Sequence, residues 1–81
     1  MVIPKSDKNQ IVLICSNFNT GIVLNNDGSP YLDEGENYFE IINSLDEAIV
    51  IARQKIEKDN TIEVILYDHD GKFIKTIRPE K

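Results

Sequence analysis

The chain of 81 residues holds one histidine and one cysteine, which leaves it poor in the side chains most used for metal binding, thiol chemistry and proton transfer. Cys15 alone cannot staple its own chain, and small secreted domains ordinarily carry several bridges, so the disulfide-framework class is set aside. No Cys/His cluster is available for structural zinc. Long apolar runs are missing too. Residues 11–15 behind Lys5 and Lys8 are five apolar positions, too short for a secretory apolar region and far too short to span a bilayer. No glycine-rich loop precedes a helix, as phosphate cradling requires, and there are no repeats or low-complexity tracts. These absences lead us to expect a soluble cytoplasmic protein with no membrane segment, no metal and no cofactor.

What is present is enough for one small globular domain spanning residues 1–81. A hydrophobic share of 41% excludes wholesale disorder. A chain this short buries only about 60–65% of its unfolded surface, so the core is thin. The net charge of -5 is unevenly spread. Residues 1–26 sum to +1 and residues 48–81 to +1, while residues 27–47 hold seven carboxylates and no Lys or Arg. Such a segment repels phosphate backbones, which argues against direct nucleic-acid binding. It would attract a basic protein surface, or act only as a solvated loop that maintains solubility.

Local patterns predict an α+β fold of order β-β-(β)-α-β-β, a small antiparallel sheet with one helix packed on one face. Residues 1–9 read as a loose arm. Residues 10–16 (QIVLICS) have the length and β-branching of a buried strand. Residues 17–21 (NFNTG) make a turn into a second strand at 22–25, a hairpin with a five-residue loop. Residues 26–37 read as an acidic loop, and 38–42 (YFEII) as a short third strand or an extension into the helix. Ser44 and Glu47 have capping-box spacing, with Asp46 and Glu47 at the positive end of the helix dipole. Leu45, Ala48, Ile49, Ala52 and Ile56 fall within about 60° of one direction at 100° per residue and define the expected buried stripe. Asp59-Asn60 stops the helix. Residues 61–67 alternate, with Ile62, Val64 and Leu66 on one face and Glu63, Ile65 and Tyr67 on the other. Asp68–Gly71 is a turn, 72–78 the partner strand, and Pro79 ends it.

Candidate chemistry is sparse. If Asp68-His69-Asp70-Gly71 filled positions 3 to 6 of a calcium loop, positions 1 and 12 would be Leu66 and Ile77, which ligate nothing. Asn25-Asn26-Asp27-Gly28 would put Val23 at position 1 and fails likewise. A hairpin turn accounts for Asp68–Gly71. His69 at an exposed turn tip has no cleft for acid–base work, and Cys15 in an apolar strand is inert.

Residues 44–77, reading SLDEAIVIA along the helix and EVILYDHDGKFIKTI along the hairpin, resemble small bacterial domains of unknown function. These share a capped helix, a strand ending in an aromatic or His residue, an Asp-x-Asp-Gly turn and a last strand. The resemblance covers about the C-terminal 35 residues and rests on structural positions. It implies the helix-hairpin arrangement and brings no catalytic motif.

The apolar residues outnumber the places under one helix. Val12, Ile14, Val23, Ile65, Tyr67 and Ile74 cannot all lie there, so the second face is covered by the 26–42 region or serves as a dimer or partner surface. Val50 and Ile51 also sit off the helix stripe. The expected function is therefore a small non-catalytic protein-binding protein of the immunity, antitoxin or inhibitor kind, not an enzyme. Its candidate partner-binding residues are Asp33, Glu34, Glu36, Glu40, Val50, Ile51 and Tyr67. The partner would be a protein with a basic surface, or a second copy in a homodimer. The rival is an acidic nucleic-acid mimic, as phage-type anti-defence inhibitors are, that occupies another protein's groove. A small enzyme or metal binder is the third reading.

Overall fold

The β-branched Ile11, Val12 and Ile14 in an apolar run open the central strand, β1 (Ile11–Asn17). The structure, a computed structural model, describes residues 6–25 and 38–79. The acidic loop, with Asp33, Glu34 and Glu36, lies outside the described residues, as do residues 1–5 of the arm. The remaining elements are β2 (Val23–Leu24), β3 (Phe39–Ile42), α1 (Leu45–Lys58), β4 (Ile62–Tyr67) and β5 (Phe73–Ile77). Among the described residues the five strands form one antiparallel sheet in the order β2-β1-β4-β5, with β3 also paired to β1. This is the α+β architecture that the local patterns predict.

β4 takes one edge of β1, from Val12 to Asn17. β2 and β3 share the other edge: β3 opposite Ile11 to Ile14, and β2 opposite Cys15 and Ser16. That sharing cuts the second strand from the four residues expected to two. β3 and β4 are each antiparallel to β1, so they run in the same direction with β1 between them. Strands so related need a crossover connection, and α1 supplies it over one face of the sheet.

Capping and turn chemistry place the ends. Ser44 accepts from the Glu47 amide at 3.2 Å, and the Asp59 amide closes the last turn on the Lys55 carbonyl. In the first hairpin, the Asn17 carboxamide oxygen accepts from the amides of Asn19 (2.9 Å) and Thr20 (3.1 Å). Gly21 there has φ 75°, and an added Cβ would meet nothing within 4 Å, so glycine serves the dihedral rather than the space. Of the expected loose arm, residues 6–9 are held. The Ser6 amide donates to the His69 carbonyl (3.1 Å), and Asp7 and Gln10 bond to each other through both their amides.

The core lies between helix and sheet. Ile11, Leu13, Cys15, Val64, Leu66 and Ile77 point toward α1, where Ala48 and Ala52 are fully buried. The helix stripe differs from the expectation. Its centre is the Ala48–Ala52 line, with Ile49 and Ile51 about 80° to either side at 100° per residue. Both isoleucines pack against the core, half-buried, and Leu45 in the first turn is 38% exposed. Alanines let the backbone approach the sheet, so the axis turns until they, not the larger residues, lie at closest contact.

Candidate functional site

The sheet face away from α1 carries the surplus of apolar residues, and pairing register arranges it in rows. Cross-strand partners share a face. One row runs Ile41, Val12, Tyr67, Phe73 across four strands, and the next runs Phe39, Ile14, Ile65, Thr76. Val12 and Ile14 are fully buried. Exposure then rises outward: Tyr67 is half-buried, Ile41 is 39% exposed and Phe73 is 62% exposed. The Tyr67 and Phe73 rings meet edge to face at 6.3 Å, and Tyr38 and Phe39 do the same at 5.1 Å.

β5 reaches this row through a bulge. Leu66 pairs with Lys75 while Tyr67 pairs with Phe73, so Ile74 is the extra residue, and it packs against the helix-side core. Ile74 thus leaves the surplus that one helix cannot cover. Phe39, Ile41 and Phe73 join it, residues whose shared face only the register reveals.

A third row is polar. The buried Ser16 hydroxyl donates to Glu63 Oε1 at 3.1 Å, and Arg78 Nε donates to Glu63 Oε2 at 3.0 Å. The Arg78 guanidinium also lies over the Phe18 ring, 5.9 Å from its centroid.

The candidate residues that the structure describes do not gather in one place. Tyr67 belongs to the aromatic row. Val50 is 55% exposed on the far side of α1. Ile51, expected off the buried stripe, flanks the core instead. Glu40 is tied to Lys55 of α1 at 2.8 Å, a contact that pins β3 to the helix.

Reactive groups are occupied or covered. Burial pushes the Cys15 thiol up, Lys55 pulls it down and Glu40 pushes it up again, the net being a raised pKa and a protonated, poor nucleophile. Asp68 is held below its ordinary range by the amides of Lys72 and Asp70, both 2.9 Å from Oδ1. Its carboxylate is therefore spent on the turn, where Gly71 takes φ 84°. His69 Nε2 lies 3.4 Å from Asp70 within the same turn. Among the described residues no three His, Cys, Asp or Glu side chains converge as a metal site would need. No described helix is long and apolar enough to cross a membrane. A cleft of about 310 Å³ between α1 and the end of β5 is lined by Arg53, Ile56, Glu57, Asn60, Ile77 and Arg78. Arg78, however, bonds Glu63 on the opposite sheet face, which leaves Arg53 and Glu57 as opposed charges there. No protein-family model, curated protein or solved structure matches this chain.

Proposed function

We propose that this chain is a small non-catalytic protein-binding protein, of the immunity, antitoxin or inhibitor kind, that docks through the sheet face opposite its helix. The observation that supports this reading is the row Ile41–Val12–Tyr67–Phe73, dry at its centre and exposed at its rim. Aromatic residues of this sort dominate the energetics of protein interfaces. An aromatic more than half exposed on an edge strand contributes little to folding and has surface to lose on binding. The covered thiol and the turn-bound carboxylate favour binding over catalysis. Glu40, neutralised by Lys55, favours an apolar docking surface over an acidic mimic of nucleic acid, which needs its carboxylates free.

The test is affinity capture from the native host with the parent chain and with Phe73→Ser. We expect a specific partner to be retained by the parent and lost from the variant, while the variant stays folded and loses only about 0.5–1.5 kcal/mol of unfolding free energy with the Tyr67 ring contact. Equal retention by both would move the docking surface elsewhere.

A further inference from the structure

β5 is an edge strand: it pairs with β4 on one side and, among the described residues, with nothing on the other. Its charge is the reverse of the molecule's. Residues 71–79 hold Lys72, Lys75 and Arg78 and no carboxylate, in a chain of net charge -5. Lysines on an edge strand ordinarily discourage pairing. Here they also discriminate, because an acid-bearing strand is the one kind that they attract.

From this we infer that the outer edge of β5 accepts an extended acidic segment of a partner protein, added to the sheet as a further antiparallel strand with an apolar residue beside Phe73 and a carboxylate on Arg78. The inference rests on the docking reading above and names the class of partner. Arg78 is built for the contact. Glu63 holds its Nε and the Phe18 ring lies under its plane, so the guanidinium is oriented before binding. Its side chain is 64% exposed. Its two terminal nitrogens, which have no partner among the described residues, form the fork that a carboxylate fits. Glu63 pairs with Arg78 in the row beyond Val64–Ile77, so Arg78 lies on the same face as Phe73. With the bulge taken out, four steps of about 3.3 Å separate the two, about 13 Å along the strand. The segment therefore carries its apolar residue and its carboxylate about four residues apart. A second copy of β5 is a poor occupant, since antiparallel pairing about its middle residue sets Lys75 against Lys75, and like charges directly opposite are destabilising.

The experiment is an amide-shift titration of the full chain with a capped seven-residue peptide, Thr-Glu-Thr-Thr-Glu-Val-Thr, whose first Glu and Val lie four residues apart on the face of Arg78 and Phe73 and whose second Glu meets Lys75 on the other face, and with the same peptide carrying Lys for Glu. We expect saturable shifts along Lys72 to Arg78 with the Glu peptide, at least about tenfold weaker binding of the Lys peptide, and about tenfold weaker binding of the Glu peptide by Arg78→Gln. Lys75→Gln, which has no ion pair to lose among the described residues, should weaken it as well and serves if Arg78→Gln disturbs the fold. Absence of saturable shifts, equal binding of the two peptides, or β5 shifts that depend on protein concentration without peptide would each overturn the assignment. Capture of the native partner lost in Phe73→Ser but unchanged in Lys75→Gln and Arg78→Gln would remove this edge assignment and leave the docking reading standing.

Discussion

The two faces of the sheet bury comparable side chains in different ways. Toward α1, Leu13, Val64 and Leu66 are sealed by a helix whose contact line is two alanines. On the other face, Val12 and Ile14 are as completely buried at the centre, but their flanks open to water at Ile41 and Phe73. Beneath the helix, burial is nearly uniform from strand to strand: Glu40 and Asn17 are half-buried, and of the described strand residues there only Lys75 on the edge is exposed. On the opposite face burial falls off from the middle outward. A covered face serves the core alone. A face with a dry centre and an apolar rim has side chains whose burial folding leaves incomplete, and it is there that association has most to gain.

The largest expected effect tests the helix side. Leu66→Ala should cost about 2–5 kcal/mol in chemical denaturation, because it removes a fully buried side chain next to a close helix contact that collapses poorly. A cost under about 1 kcal/mol would mean that the helix is not packed as described.

The sharper test sets the faces against each other. Val64→Ala and Val12→Ala remove the same atoms from fully buried positions on opposite faces. Each should cost about 1.5–3 kcal/mol by lost transfer energy plus a cavity. If Val12→Ala proved nearly neutral, the centre of the helix-free face would not be dry in solution, and the contrast between a sealed centre and an open rim would fail.

A smaller effect belongs to the helix itself. Ser44→Ala should cost about 1 kcal/mol, since the hydroxyl that accepts from the Glu47 amide is lost. Thermal unfolding of the variant against the parent checks it.

The smallest concerns acid. Asp68 has a folded pKa below its ordinary value of 3.8. Such a group stabilises the fold above the unfolded pKa, and that contribution is lost as pH falls through the folded one. Asp68→Asn keeps an oxygen for the turn amides but does not titrate. Denaturation midpoints measured from pH 7 down to about 2 should therefore fall less steeply for the variant below about pH 4. Parallel curves would show that the turn does not depend on the charged form.

Much of this was legible in the chain because the signals are local. Ser44, Asp59 and the Asp68–Gly71 turn bracket their elements as capping and turn chemistry dictate, and β4 alternates in and out residue by residue as read. Other features were hidden because they depend on partners far along the chain. The two-residue length of β2 follows from β3 occupying the rest of the β1 edge. The rotation of α1 that buries Ala48 and Ala52, seats Ile51 and leaves Leu45 exposed depends on the surface beneath it. Counting apolar residues around a wheel treats alanine and leucine alike and misplaces the centre by about 40°. Of the candidate site, Tyr67 and the exposed Val50 were readable from period alone. Glu40 was misleading, because its acid-rich neighbourhood in sequence hides Lys55, its partner in space.

By itself, then, the sequence determined the order of the elements, the ends of the helix, the turn dihedrals and the class of fold, since each is decided by interactions within a few residues. Only the tertiary structure decided which apolar residues share a face, through a register that sets Val12 opposite Tyr67 and a bulge that brings Phe73 beside it while sending Ile74 to the core. Side chains alternate with a period of two, so a shift of one residue in pairing exchanges the faces. That choice is made mainly by pairings between residues about 25 to 55 apart, which no local pattern encodes.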